Sequence, residues 1–201
     1  MYRSLIKEKK FAWGAKALVT YFPTKGSVSF VGSIKGGTRA WGSSELARIH
    51  ALMLLEGTKK HTKKDIQLLL DSMAAMLQFS ISDERLIFSG RVRTVHLPTL
   101  LALVAECITE PSFPEKELAV LRQRELSNLT LAAQDTRQQA SISLSRILFA
   151  KGHPNYDETI EESKKMLEAI TSAQLCKKHN ALIDKRTLVV SVAGDVTLLK
   201  V

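Results

Sequence analysis

Two hydrophobic patterns alternate along the chain and divide it into strands and helices. Residues 28–34 place an apolar residue or a glycine at every second position, which predicts a half-buried strand. Residues 15–22 predict a strand before it, and the Pro-Thr-Lys-Gly turn between them predicts that the two form a hairpin. Residues 187–192, TLVVSV, are apolar almost without interruption, which indicates a strand in the centre of a sheet.

The stretch 43–58, SSELARIHALMLLEGT, predicts the helix around which the fold is organised. Its apolar residues recur at helical spacing and make a wide hydrophobic face. Ser43 or Ser44 is suited to cap the N-terminus of this helix, and Gly57 is suited to end it. We therefore expect a largely buried helix that lies against the sheet.

The other periodic stretches predict two further strands and six further helices. The strands are expected over 77–81 and 86–92, and the helices over 62–77, 98–109, 115–133, 135–149, 161–170 and 172–182. A turn is expected at 151–154, before the last two helices. Strands near both ends of the chain with helices between them predict an α+β fold, in which one mixed or antiparallel sheet is covered by helices on one face.

The composition agrees with an ordinary globular fold. Of 201 residues, 45% are hydrophobic and 24% are charged, and the length suits one domain or two small ones. The sequence as given contains no apolar run of bilayer length, and its start lacks the hydrophobic core of a secretory signal, so the compartment stays open. Cys107 and Cys176 are too few to predict a disulfide framework or a metal knuckle.

The net charge of +9 raises the question of an acidic partner. The positive residues are scattered, with one local cluster made of Lys59, Lys60, His61, Lys63 and Lys64. No aromatic residues are interleaved with this cluster, although single-strand binders use them to stack bases. We therefore expect a solvated loop and no nucleic-acid partner.

Several short motifs occur in an order that resembles the pitrilysin/insulinase family of zinc peptidases, the inverzincins. The central helix ends in Leu-Leu, one residue and Gly-Thr, and a basic loop and a second helix follow. Further along come Pro-Ser-Phe at 111–113, His-Pro at 153–154, Ile-Thr at 170–171 and a strand ending in Gly-Asp at 194–195. The resemblance covers nearly the whole chain. It implies that residues 1–201 are a single domain of that family, forming one half of a longer chain or of a two-subunit assembly.

The resemblance also locates the positions at which the family carries its inverted zinc motif, H-x-x-E-H. Counting back from Gly57, the two histidine positions fall on Arg48 and Leu52, and the glutamate position falls on Ala51. A zinc site needs two imidazoles one helical turn apart and a carboxylate directed at the bound water. These three residues cannot supply either, so we expect the motif to be degenerate and this chain to bind no metal.

His50 and Glu125 lie close to the motif positions and are candidates to replace the missing ligands. His50 lies inside the motif region, but no second ligand shares its helical face, so a packed or surface histidine is expected. The family's third ligand falls near Asn128 and Leu129, which offer no carboxylate, although Glu125 is close and the alignment can slip. His179 lies on the apolar stripe of the last helix and has no partner at ligand spacing.

The resemblance therefore predicts a non-catalytic domain that shapes a peptide chamber beside a zinc-bearing half, and that is inactive alone. Two alternatives stay open: an active zinc endopeptidase with misaligned ligands, and a non-proteolytic assembly or scaffold subunit. The family's non-catalytic halves are thought to contact the peptide substrate through an arginine and a tyrosine. Arg91, Arg93 and Tyr156 are the candidates here, and zinc is expected only in the partner half.

Overall fold

A computed structural model describes residues 6–153 and 155–196, so Pro154 of the predicted turn lies outside the described residues. The described residues form six strands and eight helices. The strands are β1 Ile6–Lys10, β2 Lys16–Tyr21, β3 Ser27–Lys35, β4 Met76–Ile81, β5 Arg85–Arg93 and β6 Val189–Gly194. The helices are α1 Thr38–Trp41, α2 Ser44–Met53, α3 Lys63–Ser72, α4 Leu97–Thr109, α5 Glu115–Ala132, α6 Thr136–Leu148, α7 Ile160–Glu168 and α8 Ser172–Leu182.

The six strands form one mixed sheet in the order β1-β2-β6-β3-β5-β4. β6 is parallel to β2 and antiparallel to β3, and every other neighbouring pair is antiparallel. The apolar run near the C-terminus therefore occupies a central position, as predicted. The predicted hairpin is wrong, because β6 lies between β2 and β3 and forms hydrogen bonds with both.

One face of the sheet is covered by helices and the other is open, which confirms the α+β prediction. In β3, Val28, Phe30 and Ile34 are buried on the covered face. Ser29 and Val31, which point the other way, are exposed. This alternation follows from the two-residue period of a strand, so the hydrophobic core lies between the helices and a single face of the sheet.

The central helix α2 begins as predicted and ends earlier. The Ser43 hydroxyl accepts a hydrogen bond from the Leu46 amide and caps the N-terminus. The helix ends at Met53, although residues 54 and 55 continue the apolar pattern. The chain beyond α2 forms two isolated β-bridges, which pair Gly57 with Thr62 and Thr58 with Pro111. These bridges connect it to the start of α3 and to the chain just after α4. α2 contacts β4, so it lies against the sheet as expected.

Two glycines in the middle of the sheet leave room for aromatic rings. Gly32 on β3 is paired with Phe88 on β5, and Phe30 is paired with Gly90. A Cβ at position 32 would overlap the Phe88 ring, and one at position 90 would overlap the Phe30 ring. The two rings lie 6.2 Å apart between centroids. Each aromatic ring therefore covers the glycine opposite, and a side chain at either glycine would displace a ring.

Gly32→Ala is expected to lower the free energy of unfolding by about 1–3 kcal/mol, because one methyl group must displace the Phe88 ring in a packed core. Chemical denaturation of purified wild type and variant measures this difference. Ser29→Ala, on the open face of the same strand, is the matched control and is expected to have little effect. Equal losses in both variants would contradict the packing explanation.

Candidate functional site

Arg48 on α2 joins two helices through an ion-pair cluster. Its guanidinium donates to Glu45 one turn earlier, at 2.7 Å between Nη2 and Oε2, and to the Glu125 carboxylate on α5. Asn128 and Arg124 also donate to Glu125, at 3.3 and 3.2 Å. Both carboxylates are buried. The position predicted for the first histidine and the region predicted for the third ligand therefore lie side by side, but as an arginine and a carboxylate.

The charges in this cluster stabilise one another. Burial alone would raise the pKa of the Glu125 carboxyl, but the hydrogen bonds and positive charge of Arg48 outweigh burial and lower that pKa. Burial would likewise lower the pKa of Arg48, and its bonds to Glu45 and Glu125 raise it instead. The cluster is thus one guanidinium held between two carboxylates.

Ala51 and Leu52 fill the other two motif positions with hydrocarbon. Ala51 is buried in the core, and Leu52 is half-buried and packs against it. Neither side chain can ligate a metal, take a proton or orient a water. The motif positions on α2 therefore serve packing and one ion-pair cluster.

His50 is packed, as expected, but it has a partner that sequence spacing did not reveal. Its Nε2 lies 2.8 Å from Nδ1 of His179 on α8. Both rings are buried, and Trp41 and Phe113 enclose them, with the Trp41 ring centroid 4.3 Å from that of His50. The His50 Nδ1 atom has no hydrogen-bond partner among the described residues.

Burial sets the protonation of the pair. Desolvation lowers the pKa of His50 well below its usual value, and a positive charge on His179 would lower it further. Desolvation also lowers the pKa of His179, against a hydrogen bond to the Ile108 backbone that raises it. Both imidazoles are therefore neutral at pH 7 and share one hydrogen bond.

The residues present do not fit a zinc ion. A protein zinc site uses at least three side-chain ligands. In the two described ranges, no group of three or more His, Cys, Asp or Glu side chains is placed to hold a metal. The 2.8 Å separation of the two imidazole nitrogens is that of a hydrogen bond.

Tyr156 lines an open cleft at the start of α2. The cleft has a volume of about 280 Å³, and its walls come from α1, the N-terminus of α2 and the turn after α6. Among its lining residues are Ser43, His153 and Glu158. The Arg146 guanidinium lies 4.8 Å from the centre of the Tyr156 ring and holds it in place.

A pair of carboxyl groups lies beside this cleft. Burial and a hydrogen bond to Glu162 raise the pKa of Glu158. The Thr159 backbone amide and hydroxyl are the main causes that lower the pKa of Glu162 to about 2. Glu162 also pairs with Arg146, at 2.8 Å between Nη1 and Oε2. Glu158 is therefore the more readily protonated group of the two.

Arg91 and Arg93 lie elsewhere. Both are exposed on β5, in register with Ser29 and Ser27 of β3 on the open face of the sheet. Tyr156 packs against Arg146 of α6, and neither Arg91 nor Arg93 lines its cleft, so the structure does not bring the two arginines and the tyrosine into one cluster. The three residues stay separate candidates for substrate contact.

Two lysines of the basic loop are paired with glutamates. Lys63 lies 2.6 Å from Glu56, and Lys60 lies 3.1 Å from Glu110. His61 lies 2.8 Å from Glu106. Each distance joins a side-chain nitrogen to a carboxylate oxygen, so Lys60 and Lys63 form local ion pairs and His61 forms a hydrogen bond.

Among the described residues, no helix has the length and hydropathy required to cross a bilayer.

Comparison with known proteins places this geometry in a family context. The model of the insulinase family, peptidase family M16, matches residues 31–153, which is more than half of the chain. The comparison with curated proteins gave no match.

Solved structures with the same fold are plentiful. An inactive domain of a peptidase M16 from Pseudomonas fluorescens is similar with a TM-score of 0.84 at 22% identity. A protease from Helicobacter pylori gives 0.83 at 16%, and the first half of the periplasmic protease PqqL from Escherichia coli gives 0.78 at 17%. These matches cover 97%, 97% and 98% of this chain but only 48%, 47% and 44% of the other chains. The chain thus spans about half the length of these similar structures.

Proposed function

The chain belongs to the insulinase family, peptidase family M16, as the sequence resemblance predicted, and from this premise we propose that it is a non-catalytic domain of a zinc metallopeptidase. In this proposal, residues 1–201 act as one domain that forms a wall of a peptide chamber. A second domain of the same family supplies the zinc and the H-x-x-E-H helix, in the same polypeptide or in another subunit.

The observation that carries the proposal is the Arg48 cluster. Arg48 occupies a position that the family resemblance assigns to a histidine ligand, and its guanidinium pairs with Glu125 of α5, which lies close to the position assigned to the third ligand. The Arg48 guanidinium therefore bridges α2 and α5, and the Glu125 carboxylate, the nearest candidate for a third metal ligand, is paired with it. Ala51, in the position of the catalytic glutamate, has no group that activates water.

Peptide contact is proposed for the cleft beside Tyr156. Peptides present backbone amides, carbonyls and side chains of either charge, and the cleft offers a phenol, hydroxyls and a carboxyl group. Arg91 and Arg93 would contact peptide only if the open face of the sheet borders the chamber. The net charge of +9 favours acidic peptides, with a preference that weakens as salt is raised.

The purified domain is expected to hydrolyse no peptide alone and to retain far less than one equivalent of zinc after dialysis against trace zinc. A quenched peptide library measures hydrolysis, and elemental analysis measures zinc. Mixed with a family domain that carries an intact H-x-x-E-H helix and is encoded with it, the chain is expected to raise peptidase activity above that of either component.

Each alternative predicts a different outcome of these measurements. Stoichiometric zinc with chelator-sensitive hydrolysis by the domain alone would establish an active endopeptidase and overturn the proposal. A stable complex with the zinc-bearing domain but no gain in activity would favour the assembly or scaffold role.

A further inference from the structure

Helix α6 is the least embedded of the long helices described. Of its 13 residues, only Ser145 is buried, and Ile142 and Arg146 are half-buried. The other ten are exposed. The helix is nevertheless well defined at its start, because the Asp135 carboxylate accepts hydrogen bonds from the amides of residues 137 and 138. A regular helix with so little buried surface is unusual, since packing supplies most helical stability in proteins.

Three large apolar side chains of α6 point into solvent. Leu144, Ile147 and Leu148 are 56%, 81% and 63% exposed, and we refer to them as the α6 stripe. Their spacing of three and four residues places them on one face of the helix. Successive residues turn by about 100°, so the centre of the stripe lies roughly 160° around the helix from the residues that face the protein. The stripe is therefore a hydrophobic ridge turned away from the core.

The C-terminal end of the α6 stripe is followed in the chain by residues that form one wall of the proposed cleft. Beyond Leu148, Phe149 stacks on His153 at a centroid distance of 4.6 Å, and His153 lines the cleft. From the same helix, Arg146 holds the Tyr156 ring. A partner that covers the end of the stripe therefore lies near the turn that forms one wall of the cleft.

A second copy of this chain is a poor occupant. Each copy carries a net charge of +9, so a symmetric contact would bring two strongly basic proteins together. Exposed Arg137 lies at the start of α6, and Lys151, which pairs with Glu162 at 3.5 Å, follows its end, so basic side chains stand at both ends of the helix. An acidic rim on the partner would match this surface.

The length of the similar structures indicates what kind of partner is available. This chain matches each of them over 97% or more of its own residues and under half of theirs. In those proteins, therefore, a comparable length of chain accompanies the part that this fold occupies.

We infer that the α6 stripe is the docking surface for the second family domain, which meets it with an apolar groove bordered by carboxylates. This inference rests on the proposed function for the existence of that domain and adds the surface through which it binds. Docking there places the partner at the edge of the cleft beside Tyr156, so the cleft becomes part of a space enclosed by both domains.

Site-specific photo-crosslinking in the cells that produce the protein tests the inference. A photoreactive amino acid at position 147 is expected to form adducts whose peptides come from an M16 domain outside residues 1–201. The same amino acid at position 68, on α3, is the control and is expected not to form them. Leu68 is 56% exposed, the same fraction as Leu144.

A matched pair of substitutions gives a quantitative readout. Leu144→Asp is expected to weaken co-elution with the family partner about tenfold or more, as for a central interface residue. Leu68→Asp is expected to leave co-elution unchanged. Both residues are exposed in the domain, so both variants should match the wild type in thermal unfolding of the isolated chain.

Every other outcome overturns the inference. Adducts at position 147 that contain peptides of a second copy, of an unrelated protein or of lipid would assign the stripe to that occupant, and equal effects of the two substitutions would remove it from the interface. The failure of the inference is distinguishable from failure of the proposed function. If the partner raises peptidase activity but crosslinks elsewhere, only the docking surface is wrong; if it crosslinks at 147 without activity, only the chamber role is wrong.

Discussion

Lowering the pH from 7.5 to 5 is expected to reduce the free energy of unfolding of this domain steeply, beginning near pH 6.5. The cause is the buried pair formed by His50 and His179, whose rings share one hydrogen bond inside an aromatic enclosure. Protonating either ring would place a positive charge among Trp41 and Phe113 and beside the other imidazole. The folded state therefore resists protonation, while the unfolded state accepts it.

The direction follows from the lowered pKa values. Above the ordinary histidine pKa of about 6.5, both rings are neutral in both states and the pair has no pH dependence. Below it, the unfolded chain binds protons that the folded chain excludes, so stability falls until the folded pKa values are reached. Each histidine contributes a slope of up to about 1.4 kcal/mol per pH unit, and the two together up to about twice that.

Chemical denaturation at intervals between pH 7.5 and 5 measures this slope. Carboxyl groups with ordinary pKa values of about 4 are mostly ionised above pH 5, so the histidines dominate the titration of the unfolded chain over most of this window. His50→Gln keeps an N–H donor for His179 but removes one titrating group, and it should roughly halve the slope. His153→Gln replaces an exposed histidine and should leave the slope unchanged. A flat profile in the wild type, or the same slope in His50→Gln, would contradict the explanation.

Patterns of local periodicity predicted most of the elements, because each is set by neighbours in the sequence. The alternation of β3, the capped start of α2 and the bounds of α8 all follow from side chains within a few residues. β1 gave no such signal, since all five of its residues are exposed and most are charged. An edge strand of this kind forms because β2 offers free hydrogen-bonding groups.

The order of strands was less predictable, because it depends on contacts between distant parts of the chain. Residues 23–26 have the composition of a hairpin turn, yet β2 and β3 are separated by a strand that comes more than 150 residues later. The apolar run of β6 indicates a central position without identifying its neighbours. The end of α2 was also hard to predict. Leu54 and Leu55 continue the apolar pattern, which predicts a helix up to Gly57. Instead both residues lie in the turn beyond the helix, where Leu54 is buried and Leu55 packs against the core.

The composition of the candidate site could be predicted only in part. Counting along the motif identified Arg48, Ala51 and Leu52, and Glu125 was noted as close to the third ligand position. What these residues contact required the packing of α2 against α5 and α8. His50 and His179 are 129 residues apart, and the only sequence signal was that His179 lies on the apolar stripe of its helix. No local feature of the sequence predicts that a polar residue on an apolar helix face will contact another polar residue.

Replacing Arg48 by leucine is expected to destabilise the domain by about 2–3 kcal/mol at pH 7, since two buried carboxylates lose their shared cation. The full cost of breaking a buried ion pair is about 3–5 kcal/mol, and the expected value is lower because more than a third of the Arg48 side chain is exposed to solvent. Leucine keeps much of the side-chain volume, so the loss measures charge more than packing.

Two further variants separate the effect of half-buried Arg48 from that of exposed Arg124. Arg124 also contacts Glu125 but is 58% exposed, so Arg124→Leu is expected to cost no more than about 1 kcal/mol. The double variant Arg48→Leu/Glu125→Leu removes both charges and is expected to recover part of the loss, because no carboxylate of α5 is then left buried without a cation.

The pH dependence gives an independent check on the Arg48 cluster. The lowered pKa of Glu125 contributes stability that is present above about pH 4.5, its ordinary pKa, and is lost as the pH falls through the folded value. In Arg48→Leu the largest part of that contribution is lost, although Arg124 and Asn128 still contact Glu125, so the difference in unfolding free energy between wild type and variant should shrink as the pH is lowered below 4.5. The acid effect of the histidine pair is common to both proteins and cancels in the difference. If the difference stays constant down to pH 3, or if Arg124→Leu costs as much as Arg48→Leu, the cation bridging α2 and α5 is not what holds these helices together.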